Sequence, residues 1–158
     1  MIFSEEHYTT KNMLSCLSEY DLKDKVVFDI GTGSGVLADY CLNHGCKSVY
    51  CTDVDEESVS YTKKRLNNSK AHVYEGDLFS KIPKNRKADI ILANLYPDEA
   101  YRVLKEFNNY LKKDGLLFIT IITGFVIENL NLFGEVVYGT NGYEYNCYVL
   151  KHKNKEEL

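Results

Sequence analysis

The sequence predicts an α/β fold, a doubly wound and mostly parallel sheet, on three observations. Short β-branched runs alternate with segments of helical spacing. A glycine-rich turn separates the first of these runs from the helical segment after it. Near the C-terminus an Asn-Gly pair sits between two further strand-like runs. Alternating strands and helices imply parallel strands joined by right-handed crossovers, with helices on both faces of the sheet. Asn-Gly is the strongest short-range hairpin signal, so the sheet should finish antiparallel at one edge.

The elements follow in order. Residues 1–20 read as an N-terminal segment with a helix. Residues 26–30, 48–52, 71–75, 89–93 and 116–122 read as strands, each a short apolar or β-branched run. Residues 34–44, 55–67 and 97–112 carry helical spacing, and in the last of these Ala100, Val103, Leu104, Phe107 and Leu111 share one face. In "GEVVYGTNGYEYNCYVLK", Asn141-Gly142 joins the arms of the hairpin, and 152–158 read as a flexible tail. Without a repeat or a linker, 158 residues are expected to form a single domain over 1–158.

Composition excludes several classes. The chain is 44% hydrophobic and 27% charged, which is globular rather than disordered. Five cysteines are an odd count with no C-x-x-C pair. That argues for reduced thiols in the cytoplasm and against both a disulfide framework and a metal site. "MIFSEEHYTT" has no basic start and no apolar core of a signal peptide. No apolar run approaches the ~20 residues of a membrane span. A net charge of −4 and a pI of about 5.6 disfavour nucleic acid as a partner. Lys81, Lys84, Arg86 and Lys87 crowd one loop, either a local basic face or a solvated turn.

The turn itself reads Asp29-Ile30-Gly31-Thr32-Gly33-Ser34-Gly35, after a strand and before a helix, the context that gives a glycine motif weight. A dinucleotide fingerprint, G-x-G-x-x-G, needs a third glycine at position 36, where Val36 stands. This disfavours a NAD-dependent oxidoreductase, as does the lack of a second, substrate-carrying domain. Asp29 just before the turn would repel a pyrophosphate and would suit an ammonium group; alternatively, the loop's own amides satisfy it. S-adenosyl-L-methionine carries an ammonium and a sulfonium and no phosphate. Asp53 ends the second strand, where an acid can accept both ribose hydroxyls. Asp55 competes for that role, but with Glu56 and Glu57 it better caps the next helix. Asp77, in "YEGDLFS", suits either the adenine amino group or a loop cap. Carboxylates at successive strand ends converge on the edge where open α/β sheets bind ligands.

With these residues in view, the chain resembles the class I (Rossmann-like) S-adenosylmethionine-dependent methyltransferases over nearly its whole length. That resemblance implies a seven-stranded sheet with an antiparallel last strand. A narrower likeness is to the bacterial ribosomal-protein lysine methyltransferases of the PrmA type. "FDIGTGSGVLA" looks like their cofactor loop, and "VYCTDVDEESV" like their second-strand motif. "FSEEHYTT", residues 3–10, is similar to their N-terminal segment, and "ILANLYPD" to the end of their fourth strand. The cofactor-binding set is then Asp29, Gly31, Thr32, Gly33, Gly35, Asp53, Val54, Asp77, Leu78 and Asn94. The resemblance covers only the family's catalytic half, without its separate N-terminal substrate-recognition domain. The family's small-residue motif after the fifth strand is replaced here by "TIITGF".

Asn94-Leu95-Tyr96-Pro97 falls where methyl transfer would occur. Related amine methyltransferases use Asn or Asp followed by Pro-Pro-aromatic, whose amide oxygen orients the target amine; here Leu is second, and the aromatic and proline are transposed. Asn94 and Tyr96 are therefore the candidate catalytic residues, and Tyr96 could equally be a packing aromatic. His7, Thr10 and Pro97 are candidate substrate contacts, with His7 also readable as a plain surface residue. A lysine amine, with a pKa of about 10.4, must lose its proton first, and burial beside a sulfonium favours its neutral form. The expected function is methyl transfer to an amine nitrogen of a protein substrate in the cytoplasm. The alternatives are methylation of an RNA or DNA base or a small molecule, and a non-catalytic cofactor-binding subunit. A partner subunit could supply substrate recognition.

Overall fold

The computed structural model describes residues 7–122, 127–140 and 144–153. Asn141-Gly142, residues 3–6 of the N-terminal motif and Thr123 to Phe125 of "TIITGF" lie outside the described residues. The elements run α1 (Tyr8–Leu17), β1 (Val26–Ile30), α2 (Val36–Asn43), β2 (Ser48–Asp53), α3 (Glu56–Leu66), β3 (Ala71–Glu75), β4 (Ala88–Ala93) and α4 (Pro97–Glu106). A 3₁₀ turn (Phe107–Asn109), β5 (Leu111–Ile122), α5 (Ile127–Leu130), β6 (Glu135–Gly139) and β7 (Tyr145–Lys151) complete the chain.

One seven-stranded sheet has the order β3-β2-β1-β4-β5-β7-β6. Strands β1 to β5 are parallel, and β7 lies antiparallel between β5 and β6. The chain starts at the centre, winds out to β3, then returns to build β4 and β5 on the other side. That reversal between β1 and β4 opens a crevice at the carboxyl ends of the strands.

Side chains alternate across each strand, which divides the core into two layers. Phe28, Ile30, Ile91 and Ile119 pack with Ala100, Val103 and Leu104 of α4. Val27, Leu92, Phe118 and Val149 pack with Met13 and Leu17 of α1 and with Leu37 and Cys41 of α2. Each fully buried side chain of this size contributes roughly 1.5–3 kcal/mol. All five cysteines are reduced and buried. Among the described residues no helix is long and apolar enough to cross a membrane, and no cluster of His, Cys, Asp or Glu could hold a metal.

Three expectations need correction. The helix read over 97–112 ends at Glu106, and Leu111 instead opens β5. Pairing then jumps from Ala88↔Leu111 to Ile90↔Leu116, so Lys112 to Gly115 bulge out of the ladder. Leu111 is buried either way, so helical spacing could not detect the change of element. The helices read over 34–44 and 55–67 begin at Val36 and Glu56, because Gly35 and Asp55 are their N-caps. His152, read as the start of a frayed tail, docks instead: Nε2 lies 2.8 Å from the Leu111 carbonyl and Nδ1 lies 2.8 Å from Asn108 Oδ1.

Candidate active site

The glycine turn caps β1 at the centre of the crevice. Gly31, Gly33 and Gly35 all have left-handed backbone, with φ of 74°, 59° and 81°. At Gly31 a Cβ would lie 2.1 Å from Leu95 Cδ2, so a side chain is excluded by space as well as by φ. The turn is braced from α3, where Thr62 Oγ1 donates to the Gly33 carbonyl at 2.7 Å. From β2 the Thr52 carbonyl accepts from the Gly31 and Thr32 amides, each at 2.8 Å. The Ser34 hydroxyl is buried with no hydrogen-bond partner among the described residues.

The three carboxylates have different environments. Asp29 is buried on the α2 side of β1 and accepts from Thr32 Oγ1 at 2.7 Å. Burial pushes its pKa up to about 7 against the lowering effect of the Thr32 hydrogen bond. Asp53 is buried at the end of β2, where Oδ2 accepts from the Gly33 amide and Oδ1 from the Asp55 amide, both at 2.9 Å. Each oxygen keeps a further lone pair. Asp77 is exposed and forms a two-point ion pair with Arg102 of α4, with Nη1 3.0 Å from Oδ1. The guanidinium holds the Asp77 carboxyl below the usual carboxylate range.

These elements enclose a crevice of about 230 Å³ bounded by Gly31, Asp53, Val54, Gly76, Asp77, Leu78, Leu95, Glu99 and Arg102. Leu78 has a positive φ of 47°, held by a 2.7 Å hydrogen bond from Thr52 Oγ1 to its carbonyl. Asp53, Asp77 and Glu99 set three carboxylates against the one guanidinium of Arg102 in the lining, a field that opposes a diphosphate and favours a cation. A cradle at Gly31, an acid at the second strand end and an anionic lining together fit S-adenosylmethionine. Sequence reasoning missed Gly76, Leu95, Glu99 and Arg102 as lining residues. Gly76 had a signal, a glycine just before Asp77; Glu99 and Arg102 had none, because they arrive from α4.

The other predicted residues lie just past β4 and at the N-terminal ends of α1 and α4. Asn94 is not in the crevice lining, because alternation past β4 sends Leu95 there and turns Asn94 toward α1. Its Nδ2 donates to Thr10 Oγ1 at 3.2 Å, and its Oδ1 accepts from Thr120 Oγ1 at 2.7 Å. Thr10 is buried in α1 next to this amide. His7 caps α1, accepting from the Thr9 amide at 3.2 Å, and its ring stacks on Tyr8. Tyr96 is half-buried at the N-cap of α4, and Pro97 is the exposed first residue of that helix, where a missing N–H costs nothing. The 81–87 cations are exposed.

The fold is that of the class I S-adenosylmethionine-dependent methyltransferases, and the crevice lies where that fold binds its ligand. The sequence profile of the ribosomal protein L11 methyltransferase (PrmA) family matches residues 4–144. The chain belongs to that family. It is 34% identical over 154 residues to a ribosomal protein L11 methyltransferase from Thermoanaerobacter sp. (strain X514), a match covering 93% of this chain and 49% of that protein. The chain thus spans about half the length of that curated relative. Among solved structures, a ribosomal protein L11 methylase from Lactobacillus delbrueckii subsp. bulgaricus superposes with a TM-score of 0.86 at 21% identity, covering 96% of this chain and 82% of that one. A T. thermophilus 16S rRNA methyltransferase in complex with AdoMet and guanosine gives 0.79 at 19% identity, covering 96% and 44%. At these identities the structural likeness establishes the fold alone.

Proposed function

We propose that this chain is a cytoplasmic S-adenosylmethionine-dependent methyltransferase acting on amine nitrogens of a ribosomal protein, with the L11 protein named for its relatives as first candidate. The observation that carries the reading is the anionic crevice beside the Gly31 cradle, at the point where the strand order reverses. Asp53 would take the ribose hydroxyls, Asp77 the adenine amino group, and Val54 and Leu78 the flat faces of the base. Asp29, Thr32 and the Gly33 and Gly35 backbone would shape the amino-acid end.

When bound, the cofactor would supply an activated methyl for displacement by the amine lone pair, with the C–S electron pair leaving on sulfur as a neutral thioether and the extra proton passing from nitrogen to solvent. The protein's task is position and orientation. Asn94 would hold the acceptor amine, with Tyr96 and Pro97 walling its approach and His7 and Thr10 bordering it from α1. A partner subunit could add substrate recognition. Calorimetry with S-adenosylhomocysteine, then transfer of labelled methyl to recombinant L11, tests the reading. Micromolar binding and label on L11 are expected; absence of binding removes the cofactor assignment, and binding without label removes the acceptor.

A further inference from the structure

Thr120 lies on β5 in the layer that α1 covers, among apolar strand neighbours. Its neighbours on that face of β5 and β7 are Phe118, Cys147 and Val149, all fully buried or nearly so. Thr120 itself is 2% exposed. A hydroxyl there costs free energy unless it is bonded, whereas valine would fill the same volume without that penalty. The hydroxyl is bonded, and its partner is Asn94 Oδ1, at 2.7 Å. From the other side Asn94 Nδ2 meets Thr10 Oγ1 at 3.2 Å. One amide is therefore clamped between two buried hydroxyls from different elements, α1 and β5.

Register explains the meeting. Ala93 pairs with Ile119, so the next residues along, Asn94 and Thr120, stand side by side just past the last paired position. Both project to the face that α1 covers. A carbonyl oxygen has two lone pairs; Thr120 uses one of those on Oδ1 and leaves the other for an incoming N–H.

We infer that Thr120 is a positioning residue for Asn94, holding the amide in the plane from which Oδ1 accepts a hydrogen bond from the acceptor amine. The inference rests on the methyltransferase reading above. Misplacing an orienting group by about 1 Å costs about 100-fold in rate. Thr120→Val keeps the volume and removes the hydroxyl; Thr120→Ser keeps the hydroxyl.

The test compares wild type with both variants in labelled-methyl transfer to recombinant L11, alongside S-adenosylhomocysteine affinity. Thr120→Val should lower kcat by about 10- to 100-fold. KM for L11 and the affinity for S-adenosylhomocysteine should stay within about threefold, since Thr120 is not in the crevice lining. Thr120→Ser should restore kcat to within about threefold of wild type. In an Asn94→Ala background, Thr120→Val should have no further effect on kcat, because the group it positions is gone. An unchanged kcat in Thr120→Val, or an equal loss in Thr120→Ser, overturns the role. Should Thr120→Val not fold, Thr120→Ala serves in its place, judged by the same split between kcat and affinity. A wild-type protein that binds S-adenosylhomocysteine but never labels L11 overturns the acceptor reading and this inference with it.

Discussion

Asp29 and Thr32 form a buried pair under the glycine turn, with the Thr32 hydroxyl 2.7 Å from Asp29 Oδ2. That bond and one from the Ala38 amide do not offset the loss of water around the carboxylate, and the pKa rises from an ordinary 3.8 to about 7. The folded protein therefore holds this proton more tightly than the unfolded chain does.

The sign of the pH dependence follows. Stability tied to the Asp29 proton is complete below pH ~4 and is lost as pH rises through about 7. At 1.36 kcal/mol per pH unit this is about 4 kcal/mol across the window. Asp29→Asn should therefore gain stability over wild type as pH rises from 4 to 7, and the difference should level off above that. Urea unfolding of both proteins without ligand, from pH 4 to 9, measures it. A difference that stays constant with pH contradicts the account.

Gly31→Ala should damage both stability and cofactor binding. The new Cβ meets Leu95 Cδ2 at 2.1 Å, and the left-handed backbone adds roughly 1–2 kcal/mol. We expect S-adenosylhomocysteine affinity to fall by about tenfold or more. Combining it with Leu95→Ala should recover the clash but not the backbone cost, giving a coupling of roughly 0.5–3 kcal/mol in a double-mutant cycle. Strict additivity would mean that Leu95 does not set the limit.

Asp77 should govern which purine the crevice accepts. Its carboxylate lines the crevice while paired to Arg102, and an acceptor there matches an exocyclic amine but not the oxo group of inosine. Wild type should bind S-adenosylhomocysteine at least about tenfold more tightly than S-inosylhomocysteine. Asp77→Ala should erase that preference. Arg102→Ala should weaken it while leaving the melting temperature unchanged, since both side chains are about half exposed. An unchanged preference in Asp77→Ala would remove it from the adenine site.

The thiols offer a simple check on packing. Cys16, Cys41, Cys46, Cys51 and Cys147 are all buried, and burial raises Cys41 and Cys51 well above the usual thiol range. Because the thiolate is the reactive form, a thiol reagent should modify them slowly in the native protein and all five rapidly in guanidinium. One fast native thiol would show a core looser than described.

Residues near one another in the chain made the fold and half of the site readable in advance. Strand–helix alternation placed β1 to β4 within a residue of their observed bounds, and the spacing of Gly31, Gly33 and Gly35 located the turn. Backbone sterics and side-chain alternation act over a few residues, so those features are written locally. Partners far apart in the chain depend on register and packing. Arg102 meets Asp77 across 25 positions, Thr120 meets Asn94 across 26, and Asn94 meets Thr10 across 84. The sequence puts Asn94 in the cofactor set, whereas Leu95 is the residue in the crevice lining, a choice made by the packing of β4 between α1 and α4. Sequence alone determined the turn, the acids at the strand ends and the parallel run of the strands; tertiary structure decided which side chains hold one another, because only the folded sheet brings those distant positions within hydrogen-bond reach.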